Sequence, residues 1–164
     1  MLRSLSVCLF AIAGSVLFAT DDLIAQTDLA TIVKERQDLM KTMGRSFKPI
    51  VAVVKDESTD LATAAEAAQT MNASIVKAAT MFPEGTAKGE VPESRAKPAV
   101  WAESAEFEAA AKTLTEETAK LVVVANSGNV EDFKAQFQVV SKACVGCHEG
   151  KGSAGGKFRF PREE

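Results

Sequence analysis

The chain has 164 residues, 19 of them basic and 22 acidic, for a formal net charge of −3. That length is one domain's worth, and the mildly acidic balance argues against nucleic acid or an anionic membrane as partner. With three cysteines and a single histidine, the chain also lacks material for a disulfide framework or a four-ligand structural zinc site.

Met1-Leu2-Arg3 leads into an apolar run from Leu5 to Phe18. A short basic stretch ahead of such a run predicts a secretory signal peptide over 1–25, too short and wrongly flanked to span a membrane. Ala19 and Ala25 are both candidates for the last residue removed, and Cys8 is an apolar filler of the leader. Residues 26–150 then form one folded domain, and the Gly-, Ser- and Lys-rich 151–164 a flexible C-terminal tail.

Within the domain, residues favouring helix dominate and no apolar/polar alternation is sustained. A first helix is predicted from about Asp28 to Val54, with Ile32, Val33, Arg36, Leu39, Met40, Met43 and Phe47 on one broad face. Pro49 is expected to kink it rather than end it, because Ile50 to Val54 stay apolar. A second helix runs from Asp60 to about Met81 behind the caps Ser58 or Thr59. The segment 82–98 holds three prolines and two glycines and reads as a loop. A third helix spans about Ala99 to Ala125 and stops at Asn126-Ser127-Gly128, where Gly128 can take the left-handed conformation. Asn129 caps a fourth, whose first turn carries Glu131 and Asp132 at its positive end. Its stripe of Val130, Phe133, Phe137 and Val140 leads to Cys144-Val145-Gly146-Cys147-His148. The fold class is therefore all-α, an antiparallel up-down-up-down four-helix bundle.

Two thiols three positions apart with an adjacent imidazole form the attachment signature of c-type haem. Each cysteine adds across one haem vinyl group, and His148 is then placed to bind the iron as the proximal ligand. A zinc site would need a fourth ligand, and a redox dithiol a βαβ context; neither is visible. Because His148 is the only histidine, the opposite axial position falls to methionine, lysine, water or nothing.

A haem motif near the C-terminus of an exported all-helical chain resembles the class II c-type cytochromes. This is the cytochrome c′ family, with its low-spin branch of the cytochrome c-556 type. The likeness is carried by Arg36-Gln37-Asp38-Leu39-Met40, Phe82-Pro83-Glu84-Gly85, Lys97-Pro98-Ala99-Val100-Trp101 and the terminal motif. It implies one covalent haem c, and puts Met40 on the distal side. There a methionine either binds iron through sulfur or only blocks the face, and Met43, Met71 and Met81 are further sulfurs in the chain. It also implies a propionate-side role for Arg36, one turn before Met40, against the alternative of a surface salt bridge. One departure stands out: the basic residue that follows the histidine by four positions in the family is Gly152 here. Phe158-Arg159, beyond a Gly-rich insertion, offers the missing aromatic and basic pair.

The sequence thus predicts a periplasmic monohaem cytochrome carrying single electrons through His148 and Met40 between periplasmic redox proteins. The alternative is a five-coordinate cytochrome c′ that binds NO or CO at an open distal site. An enzyme is not expected, since no second histidine can act as distal acid or base. Trp101 reads as a structural plug, and Phe133 and Phe137 as core. The resemblance implies a homodimer through the first two helices; Val51 and Val53 fit that, or fit a bundle core equally well.

Overall fold

The computed structural model describes the backbone of residues 18–148 and 156–161, and side chains from Asp28 onward. The signal peptide read over 1–25 therefore lies largely outside the described residues. Among the described residues five helices occur in chain order: α1 (Phe18–Val54), α2 (Leu61–Ala79), α3 (Ala99–Ala102), α4 (Ser104–Ser127) and α5 (Val130–His148). The helix α1 begins ten residues before the predicted start at Asp28, since no glycine or proline stands between Phe18 and Asp28 to stop it. It passes through Pro49 and ends at Val54, as the apolar run after the proline predicts.

Four long helices pack in a ring, α1 on α2, α2 on α4, α4 on α5 and α5 back on α1. Each buries one stripe spaced at three and four residues, which is the pattern that commits a helix to a bundle core. On α2 the stripe is Ala64, Ala68, Met71, Ile75 and Ala78; on α4 it is Leu114, Thr118, Leu121 and Ala125. Phe133 and Val140 on α5 are fully buried, and Phe137 meets Phe47 edge to face, ring centroids 5.7 Å apart. Val53 is buried in the same core and Val51 packs against it, so core packing accounts for both. A polar lock joins α2 to α4: the Asn72 amide donates to the Thr115 carbonyl and the Thr118 hydroxyl, both at 2.8 Å.

Three boundaries differ from the sequence reading. Asp60, rather than Ser58 or Thr59, caps α2: its carboxylate accepts from the Thr63 amide at 2.9 Å and the Thr63 hydroxyl at 2.6 Å. Ser58 instead accepts from the Asp60 amide, one step back. The third predicted helix is two, because Glu103 leaves helical geometry (φ −122°, ψ 44°) between α3 and α4. Trp101 on α3 donates its indole N–H to the Phe82 carbonyl at 3.0 Å, so this short helix is tied to the loop as well as packed on α4. Finally, 156–161 does not behave as a loose tail: Phe158 is buried and the segment pairs with 95–97. At the other turn the reading holds. Gly128 adopts φ 80° and the Asn129 side chain accepts from the amides of Glu131 and Asp132.

Candidate haem site

The last turns of α5 present Cys144, Cys147 and His148 at positions i, i+3 and i+4, hence on one face. The stripe that buries Phe133, Phe137 and Val140 continues into them, so core packing of α5 is what aims the motif inward. All three residues line one cavity of about 460 Å³, a size typical of cofactor sites. Met40, on α1, lines the same cavity. The sequence-predicted attachment residues and the predicted distal residue are thus brought to one space from opposite ends of the domain.

The wall suits a haem in three respects. Apolar side chains dominate it, among them Met43, Phe47, Met71, Ile75 and Leu114. Small residues, Gly44, Ala79, Ala110 and Ala111, sit where α1, α2 and α4 meet it and leave room for a flat ring. Among the described residues its charged members are Arg36, Lys41, Arg95 and Arg159, with no Asp or Glu. An apolar macrocycle bearing two carboxylates is compatible with such a surface, because its acid groups meet cations and its ring meets hydrocarbon. Among the described residues no cluster of three or more His, Cys, Asp or Glu is arranged to hold a metal ion.

Burial sets the protonation of the three motif residues. Burial, then the proximity of Arg159 and Arg95, pushes the His148 imidazole down to about 4. His148 is exposed by surface area and lines the cavity. At neutral pH the ring is uncharged, the form that binds a metal. Burial, then Cys147, raises the Cys144 thiol to about 11, and burial raises Cys147 as well, so both stand as thiols. Neither is in a disulfide.

Arg36 also lines the cavity, but its guanidinium is directed at the loop. One terminal nitrogen donates to the Met81 carbonyl (3.1 Å) and the Thr86 hydroxyl (3.0 Å). The other donates to the Thr86 carbonyl and the Ser94 hydroxyl, both at 2.9 Å. The Phe82 ring covers it at 4.3 Å. Four bonds use all four terminal N–H groups. Arg36 is 5% exposed and is neither a surface ion pair nor a group with terminal hydrogens to spare for a propionate. Burial without a carboxylate partner lowers its pKa to about 10, and it stays charged.

Several wall residues escaped the sequence reading. Arg95 and Phe107 carry no motif; only the fold brings them to the cavity. Ala110 and Ala111 had a faint signal, a run of small residues on the apolar side of a helix. Trp101 does not line the cavity, consistent with a structural plug, and Phe158 and Arg159 do line it despite the insertion before them.

Comparison with known proteins adds five findings. The sequence pattern of the family described as Cytochrome C′ matches residues 31–150. The chain is 31% identical over 144 residues to cytochrome c-556 of Rhodopseudomonas palustris, covering 84% of this chain and 91% of that one. It is 30% identical over 117 residues to cytochrome c′ of Pararhodospirillum photometricum, covering 71% and 92%. The crystal structure of cytochrome c′ from Rubrivivax gelatinosus superposes with a TM-score of 0.69 at 28% identity, covering 80% and 96%. A nitric oxide complex of a variant cytochrome c′ from Alcaligenes xylosoxidans shares the fold, with a TM-score of 0.70 at 23% identity.

Proposed function

The chain belongs to the cytochrome c′ family, and from that premise we propose that it is an exported monohaem cytochrome carrying single electrons. Family members hold one covalently attached c-type haem. In this chain Cys144 and Cys147 would hold the haem through two thioether bonds, with His148 as proximal and Met40 as distal ligand. So bound, haem supplies a one-electron iron couple. The observation that supports this reading is the convergence of Met40 from α1 and His148 from α5 on one apolar cavity.

Each side chain contributes a distinct physical effect. His148 offers a neutral nitrogen donor at physiological pH. The Met40 thioether is a soft donor that favours the ferrous state and raises the potential relative to nitrogen ligands. With sulfur in place the distal face is closed to other molecules, which suits a carrier rather than an enzyme. The partners are periplasmic redox proteins, and a homodimer forms through α1 and α2.

A second reading has one observation in its favour: Met40 is only partly buried and packs at the edge of the core. In that reading it is a steric wall before a five-coordinate iron that binds NO or CO, as the Alcaligenes variant binds nitric oxide. Replacing Met40 by Leu separates the two. On the electron-carrier reading the Met40→Leu holoprotein has a lower reduction potential than wild type and gains CO binding in the ferrous state. Unchanged potential and unchanged CO binding would discard Met40 as ligand.

A further inference from the structure

Beyond His148 the chain returns to the cavity. Residues 156–161 lie along the segment that precedes α3: the Lys97 amide donates to the Phe158 carbonyl at 3.0 Å, and the Phe160 amide to the Arg95 carbonyl at 2.9 Å. Ala96 and Arg159 form an antiparallel bridge between these bonds. Phe158 is 5% exposed and belongs to a second small core with Ala96 and Val100, against which Cys147 packs. Its ring meets Phe107 edge to face at 5.3 Å, and Phe107 meets Phe82 in the same way at 4.7 Å. These three rings come from the tail, α4 and the loop, and all line the cavity.

The outer side of the segment is latched as well. The Lys157 ammonium bonds Glu103 at 2.7 Å and also Glu106, bridging the break between α3 and α4. The ammonium groups of Lys88 and Lys97 lie 5.2 and 5.1 Å from the Phe160 ring centre. Backbone pairing, a buried aromatic anchor and ion pairs together hold six residues that composition alone would leave free.

We propose that residues 156–161 are a strap that completes the haem site on the Cys147–His148 side, with Phe158 as the positioning residue that keeps water from that side. The hydrophobic shell around a metal site governs solvent access and local dielectric, and through them the reduction potential. Taking away the Phe158 ring admits water beside Cys147 and favours the more highly charged ferric state. The inference rests on haem attachment at Cys144 and Cys147.

The test uses full-length holoprotein with Phe158→Ala and Phe158→Leu, together with amide exchange on wild type. The Phe158→Ala protein is expected to keep its covalent haem and helical content but to show a lower potential, largely restored in Phe158→Leu. The Lys97 and Phe160 amides should exchange slowly in wild type and about tenfold faster or more in Phe158→Ala. A folded Phe158→Ala holoprotein with wild-type potential would overturn the proposal. So would unprotected Lys97 and Phe160 amides in wild type, a result that decides the matter even if the alanine variant does not fold. A wild-type chain that gains no covalent haem would instead overturn the attachment reading.

Discussion

Arg36 shows how one side chain's place can be legible in sequence while its partners are not. Its position one turn before Met40 pointed to the cavity, and it does line it. Its four terminal hydrogens nevertheless go to Met81, Thr86 and Ser94, acceptors 45 to 58 residues away in sequence. Nothing in local spacing announces partners so distant. The energetics favour this use, since a buried cation with its terminal donors bonded is tolerated while buried carbonyls without donors are costly. Replacing Arg36 by Met should destabilise the holoprotein by about 3 kcal/mol, because it strands carbonyls and hydroxyls in the loop. Denaturant unfolding of the holoprotein measures this, and a change near zero would refute the role as a staple. The cysteines and His148 were the opposite case. Their chemistry is compressed into five consecutive residues, so the motif could be read without the fold.

Among the elements, α5 was the most legible, because its cap, its acidic first turn and its stripe all state the same helix. Truncating the cap, Asn129→Ala, should lower stability by about 1 kcal/mol, seen as a lower midpoint in thermal unfolding. Helix α2 was read with the wrong cap because Ser58, Thr59 and Asp60 are all good capping residues, and only the chain's exit from the turn selects Asp60. Hydrogen bonds from the Thr63 hydroxyl, then its amide, hold the Asp60 carboxyl below the usual carboxylate range. A depressed folded pKa means the unfolded chain takes up this proton first. The cap's contribution is therefore complete above the ordinary aspartate value and lost as pH falls through the folded one. Wild type minus Asp60→Asn, followed by thermal unfolding, should show a difference that shrinks on acidification across that window. A difference independent of pH would contradict it. The split between α3 and α4 was not legible, since Ala99 to Ala111 has good helix propensity throughout. The break goes with long-range ties, Trp101 to the loop and Lys157 to Glu103.

For the molecule as a whole, bundle and haem site depend on one another. Stripes on four helices make the core, and α5's stripe runs on into the attachment residues. Where α1, α2 and α4 carry Gly44, Ala79, Ala110 and Ala111, the core gives way to a cavity. The loop and the strap finish its wall with Phe82, Arg95, Phe158 and Arg159, the part that periodicity could not reveal because it lies outside the long helices. Among the described residues no helix is long and apolar enough to cross a membrane. The central claim, a His148/Met40 iron site carrying electrons, is tested most directly by the optical spectrum of the holoprotein, oxidised and dithionite-reduced, with and without CO. The account predicts sharp, split α and β bands on reduction, a weak near-infrared sulfur-to-iron band when oxidised, and no change on adding CO. A broad high-spin spectrum that shifts at once under CO would contradict it and assign the protein to gas binding.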